Sequence, residues 1–333
     1  MRRWRYEAMG TELVVLAPES APATGPRVRA LFAEWEQRFS RFRPESELSR
    51  VNAAAGRPVE VSAPFAEVAS VALAAARATG GLFDPTLLEQ LLALGYDRTF
   101  RELPADRPTR LGAPAAAPGG AWRKIELDLE ARTIHLPAGV RLDFGGLVKG
   151  MAVDAALAAL AADDAGPCAV DAGGDLAVLG RPPGRDAWPI ALVEADGAPV
   201  VGLVSGALAT STVSRRRWRV DGEERHHLVD PRTGRPAGSG LRAATVAAST
   251  CRAAEVACKA ALLLGAEEGR AFLERHGLSG LLVTDDAHPL PVGGWVDGWI
   301  GASSGGDAST PAVAAATDRA GMDEAHRAAV AGG

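Results

Sequence analysis

The chain has 333 residues, is 47% apolar and carries a formal net charge of −5, enough length and apolar content for one large domain or two packed ones. The negative balance excludes nucleic acid as a main partner, and no apolar run reaches the roughly 18 residues that span a bilayer, so membrane insertion is excluded as well. Three cysteines (Cys168, Cys251, Cys258) without a CxxC pair argue against a disulfide framework, and with no apolar leader behind Met1–Glu7 the expected location is the reducing cytoplasm.

In chain order, Met9–Ala17 reads as a strand, and Arg27–Phe39 has helical spacing through Val28, Leu31, Phe32, Trp35 and Phe39. Ser40–Asn52 reads as a polar turn region. Pro64–Thr79 is an alanine-rich helix stopped by Gly80-Gly81, and Phe83-Asp84-Pro85-Thr86 is a turn opening a short helix, Leu87–Leu94. Arg98–Gly120 is an irregular excursion, and Trp122–Leu129 with Thr133–Leu136 reads as a hairpin. Leu147–Ala162 is a strongly apolar helix. Strand-like pieces follow at Cys168–Gly180, Trp188–Glu194, Val200–Val204, Arg217–Val220 and Ala243–Ala248. Helices at Arg252–Leu264 and Glu267–His276 precede a last strand, Gly280–Thr284. Strands cluster between helices without βαβ alternation, so the expected fold class is α+β with mainly antiparallel sheet. From Ala302 the chain is rich in Ser, Gly, Ala and Asp. The expected organisation is therefore one domain over residues 1–301 and a disordered tail over 302–333.

The most informative stretch is Leu142–Asp154. A strand end turns through Gly145 and Gly146 into a helix, a geometry that aims backbone N–H groups and a helix N-terminus at an anion such as a diphosphate. A second turn of this kind is Asp171-Ala172-Gly173-Gly174-Asp175. Only three lysines occur, and two of them, Lys149 and Lys259, lie in glycine-rich or apolar helical contexts where an ammonium differs from a guanidinium fork. The basic cluster Arg215-Arg216-Arg217 with Arg219 reads as a solvated rim. Each residue also has a plainer reading. Asp84 and Asp143 suit turn capping, Phe42 suits a core, and His227 suits a strand histidine bonded to backbone.

Taken in order, Met9-Gly10-Thr11, the run Phe42–Asn52, Phe83–Thr86, the Asp143–Asp154 turn, Gly173-Gly174-Asp175, Ala209-Thr210-Ser211 and His227–Gly234 resemble the ApbE family, the FAD:protein FMN transferases. The resemblance runs from about Met9 to about Val283. It implies an ApbE-like, T-fold-related architecture. It also implies a reaction in which the pyrophosphate of FAD is cleaved, FMN is attached to a Ser or Thr of a partner protein, and AMP leaves. By resemblance, Met9, Phe42, Leu82, Phe83, Asp84, Asp143, Lys149 and Val229 line the FAD site, Gly145 and Gly146 cradle phosphates with Lys149, and His227 serves as base or phosphate holder. Asp230 shapes its turn.

The family's magnesium motif departs here. The family carries Ala-Asp-Ala with a Thr four residues after the Asp. This chain has Glu255 and Lys259 at those positions, on one helix face by their i, i+4 spacing. Three readings stay open: Lys259 replaces the metal beside Glu255, Mg²⁺ binds through Glu255 and backbone oxygens such as that of Gly146, or the site only holds flavin. A non-catalytic FAD-binding protein and a FAD pyrophosphatase are accordingly the alternatives to the transferase. Smaller departures are Phe42 in place of tyrosine, Asp171 in place of Asn, Met151 in place of an aromatic, and Thr212 in place of glycine.

Overall fold

The computed structural model describes residues 1–108, 117–294 and 299–300, so the expected tail lies outside the described residues. Two compact units emerge. Of the described residues, the first is built from Met1–Glu36, Leu147–Arg217 and those from Ala237 to Ile300, and the second from Gln37–Gly146 and Trp218–Pro236.

The first unit carries an eight-stranded, wholly antiparallel sheet. Its strands are β1 (Arg2–Ala8), β2 (Thr11–Ala17), β3 (Cys168–Ala172), β4 (Asp175–Leu179), β7 (Gly206–Thr212), β8 (Leu241–Ala248), β9 (Ser279–Thr284) and β10 (Pro289–Val292), neighbours in that order. A smaller sheet joins β5 (Trp188–Ala191) and β6 (Val200–Leu203), with β11 (Trp299–Ile300) pairing parallel to β6. The helices are α1 (Thr24–Phe39), α2 (Val148–Ala162), α3 (Cys251–Leu264) and α4 (Ala266–Arg275).

The two-residue period of the strands divides their side chains between two cores. Ala177 and Ala207 join Leu13, Val15, Phe32, Ala152 and Leu160 on the helical side. Leu176, Val178 and Leu208 face the other way, into a core with Trp188, Val201, Leu203 and Leu281. A central strand buried on both faces reads as continuous apolar sequence, which is how Leu176–Val178 looks.

Three strands differ from the sequence reading. The strand expected over Met9–Ala17 begins at Thr11, because Met9 and Gly10 close a β1–β2 hairpin with φ of 51° and 70°, the mirror-image turn that matches strand twist. Strand β1 was hidden by its arginines, since only Trp4 and Ala8 of its face are buried. Strand β7 was read as a motif because its residues are small.

The second unit has a helical core and a three-stranded antiparallel sheet of Pro58–Glu60, Thr133–His135 and Glu126–Asp128. Part of the expected turn region is a helix, Glu47–Ala53, capped by the Ser46 hydroxyl, which accepts from the Ser49 N–H at 3.0 Å. Expected strand Trp122–Leu129 is a 3-10 turn over Ala121–Lys124 followed by the short strand Glu126–Asp128. Phe39, Phe65 and Phe144 pack with ring centroids 5.7–6.3 Å apart. Buried Asn52 donates to Leu142 O at 2.9 Å and accepts from Leu142 N at 2.7 Å, which pins the irregular segment just before Asp143, where the sequence reading placed a strand end.

Candidate functional site

In the first unit, the start of α2 and the middle of α3 bring four charged side chains together. Lys149 lies in the first turn of α2, Asp175 opens β4, and Glu255 and Lys259 stand on α3. Glu255 has no exposed surface, and the Asp175 side chain is 3% exposed. Lys149 donates to Asp175 and, at 2.9 Å, to Glu255 Oε1. Lys259 donates to the same Oε1 at 3.1 Å. Glu255 Oε2 accepts the Gly150 N–H at 2.8 Å, one of the donors that the first turn of a helix leaves without an intrahelical partner.

Close helix approach makes this possible. A Cβ on Gly150 would lie 2.9 Å from the Arg252 N and Cα, so only glycine lets α2 meet α3 here. The N-terminus of α3 is fully provided for. Asp154 accepts from Cys251 N at 2.7 Å and Arg252 N at 3.0 Å, and Thr250 caps Ala253 N.

The electrostatics follow from burial. Burial pulls the Lys149 ammonium down, but Asp175 and Glu255 more than offset this and leave it above its ordinary value. Burial also pushes both carboxyls up. For Asp175, burial and the repulsion of Glu255 outweigh the lysines, and it rises to about 6. For Glu255, Lys149, Lys259 and the Gly150 N–H outweigh burial and bring it down to about 2. Glu255 is thus the carboxylate that stays ionised, and Asp175 the one that yields. All three cysteines are free and buried, and burial raises each thiol, so none is a nucleophile at neutral pH.

Around the cluster, the Gly173-Gly174 turn is fixed from two sides. Asp171 Oδ1 accepts Gly174 N at 2.8 Å, and Thr210 N donates to Gly174 O at 3.0 Å. A Cβ on Gly173 would fall 1.9 Å from Thr11 Oγ1. Ser211 meets Cys258 Sγ at 3.1 Å. Thr212, where glycine was the resemblance's expectation, joins Ser214 and half-buried Glu194 in a hydroxyl–carboxylate network. Arg216 lies near enough to Lys149 to oppose its charge, and its Nη2 donates to Gly10 O at 3.4 Å. Met9, beside Gly10 in the hairpin turn, donates its N–H to Glu36 at 3.1 Å.

The remaining expected site residues belong to the second unit. Asp143 Oδ1 accepts Gly145 N at 2.6 Å while Arg41 Nε pairs with Oδ2 at 2.7 Å. Asp84 is buried and accepts from Thr86 N at 2.8 Å and Gly120 N at 2.5 Å. Both aspartates therefore shape their turns, whatever else they contact. Phe42 packs on Tyr96 at 5.7 Å, with the Arg41 guanidinium 4.2 Å above its ring, next to a cluster containing Val229 and Trp218. Phe83 is buried, Leu82 is half-buried, Gly145 is exposed and Gly146 half-buried. His226 ends the strand Glu223–His226 and is buried, whereas His227 lies half-buried in the following bend. Sequence reasoning did not select Asp175, Gly150, Asp154 or Arg216. The available signal for Asp175 was a carboxylate opening an otherwise apolar strand.

Comparison with known proteins decides the family. Residues 9–282 match the ApbE family. The chain belongs to the ApbE family. Among curated ApbE-type relatives, the protein named FAD:protein FMN transferase from Treponema pallidum is 28% identical over 81% of this chain and 79% of its own length. The protein of that name from Klebsiella pneumoniae is 27% identical over 85% and 90%. The crystal structure of the ApbE protein from Thermotoga maritima superposes with a TM-score of 0.78 at 26% identity, covering 87% of this chain and 96% of that one. The Pseudomonas stutzeri flavinyl transferase ApbE, at 23% identity and a TM-score of 0.72, shares the fold, covering 87% and 95%. The α+β architecture expected from the sequence is the fold observed. No helix among the described residues is long and apolar enough to cross a membrane.

The donors present do not suit the magnesium ion that the resemblance implies. Both Glu255 oxygens are engaged by cationic or N–H donors. A dication about 4 Å from either ammonium would be repelled by roughly 8 kcal/mol at an effective dielectric of about 20. Among the described residues no group of three or more His, Cys, Asp or Glu gathers as a metal set. The residues as placed do not fit Mg²⁺, which demands near-octahedral oxygen ligation.

Proposed function

We propose that this chain is an FAD:protein FMN transferase that moves FMN from FAD to a Ser or Thr hydroxyl of a partner protein and releases AMP. The observation that carries the reading is the pair of ammonium groups, Lys149 and Lys259, fixed on one buried carboxylate at the start of the helix that follows the Gly145-Gly146 turn. It is supported by the family match over residues 9–282.

In the proposed reaction the acceptor oxygen attacks the FMN phosphorus, the P–O–P bridge breaks, and AMP departs with the bridging oxygen. Cations near the transferred phosphoryl group stabilise the charge that develops on its oxygens and on the leaving phosphate. Lys149 and Lys259 are assigned that task. His227 is assigned, by resemblance, the acceptor proton or a phosphate oxygen. Met9, Phe42, Leu82, Phe83, Asp84, Asp143 and Val229 are assigned to the flavin dinucleotide, with Gly145 and Gly146 at its phosphates. The cytoplasm is the proposed compartment.

The test is reversed-phase analysis of FAD incubated with the protein and a pool of Ser- and Thr-containing acceptor peptides. Flavin-labelled peptide and AMP in equal amounts is the expected result. Unchanged FAD would instead identify a binding protein. FMN and AMP without labelled peptide would identify a pyrophosphatase.

A further inference from the structure

We infer that Lys259 occupies the role of a metal ion in this chain, so that the anionic substrate is held by fixed ammonium and guanidinium charges and no divalent cation takes part. The inference rests on the flavin-transfer reading only for the identity of the substrate.

Glu255 is the one fully buried acid in the cluster, and its two oxygens take three donors, from Lys149, Lys259 and Gly150. Three of its roughly four lone-pair sites are thus taken, two of them by ammonium groups that would face any metal bound at the fourth. The two lysines are balanced by two carboxylates, Asp175 and Glu255, so the cluster itself is neutral and tolerates burial. Each lysine keeps donor capacity, because an ammonium has three hydrogens. Lys149 directs two of them at Asp175 and Glu255, and Lys259 directs one at Glu255 Oε1, with only a 3.5 Å approach to the Glu255 carbonyl besides. The lysine side chains are 14% and 17% exposed, so each keeps a little accessible surface. Arg216, beside Lys149, adds a third cation that no acid of the quartet balances. An incoming phosphate oxygen therefore meets donors already in place and net positive charge. A dication would meet the same charges as repulsion.

The test begins with Mn²⁺ titrated into the flavin-free, full-length protein and followed by electron paramagnetic resonance. The free-ion signal is expected to be undiminished. FAD affinity, read from flavin fluorescence, is expected to be the same in EDTA as in excess Mg²⁺, and K259M is expected to weaken it about tenfold or more in EDTA. Stoichiometric Mn²⁺ uptake by the wild-type chain overturns the inference without any variant having to fold. So does K259M that melts like wild type and keeps its FAD affinity. The two proposals fail separately. FAD held without metal but never transferred removes the transferase reading alone. Transfer that stops in EDTA and returns with Mg²⁺ removes this inference alone.

Discussion

Glu255 sits in the centre of a buried ion cluster, and its contribution is largest as the partner of others. Replacing it with glutamine leaves Lys149 and Lys259 facing a neutral amide, and leaving a buried charge unpaired typically costs about 3–5 kcal/mol. Glu255→Gln is expected to lower the free energy of urea-induced unfolding by that amount. The two acids also give opposite pH dependence. Glu255, depressed from 4.5 to about 2, contributes stability present above 4.5 and lost as the pH falls toward 2. Asp175, raised from 3.8 to about 6, holds its proton more tightly when folded, so its contribution is greatest below 3.8 and disappears as the pH rises through 6. Asp175→Asn, which resembles the protonated acid, lacks this titration, so the urea midpoint of wild type is expected to fall relative to that of Asp175→Asn between pH 4 and pH 6. A wild-type midpoint that rises relative to the variant over this interval would contradict the assignment. At this scale, the sequence showed Lys149, Glu255 and Lys259 through rarity and spacing. Asp175 was legible as the end of its glycine turn but not as a partner of Lys149, which lies 26 residues away.

At the scale of elements, the crossing of α2 and α3 depends on a missing methyl group. Gly150→Ala would place a Cβ 2.9 Å from the backbone of Arg252, an obstacle that no side-chain rotation relieves. Overpacking of this kind costs about 1–3 kcal/mol, and the helices must separate, which lengthens the Gly150 N–H to Glu255 bond. Reduced thermal stability together with weaker FAD binding is expected, measured by calorimetry and fluorescence titration. Asp154→Ala removes the acceptor for two N–H groups at the start of α3 and is expected to lower stability by about 1–2 kcal/mol. Equal melting temperatures for Asp154→Ala and wild type would show that Thr250 alone suffices as the cap. The α2 and α3 helices were legible because their apolar content is high and long. Strand β1 and the helix Glu47–Ala53 were not, because arginines outnumber buried residues in one and only Leu48, Val51 and Asn52 are buried in the other. The hairpin turn at Met9-Gly10 needed the φ sign that sequence alone leaves open at Met9.

For the whole chain, the α+β class was readable because strands and helices cluster instead of alternating. The order of the eight strands was not, since β7 pairs between β4 and β8 across long separations that no local pattern encodes. The family match ends at residue 282, well before the segment 302–333. A chain truncated after Gly301 is accordingly expected to keep the melting temperature and FAD affinity of the full chain, and a loss of either would place the domain boundary further on.

The bond from Gly150 to Glu255 joins the beginning of one helix to the interior of another, a full turn away from the Asp154 cap that joins them a second time. Two attachments at different heights act as a bracket, opposing both sliding and pivoting. The amines of Lys149 and Lys259, one on each arm, must then travel together, and their spacing is set by the scaffold before any ligand arrives.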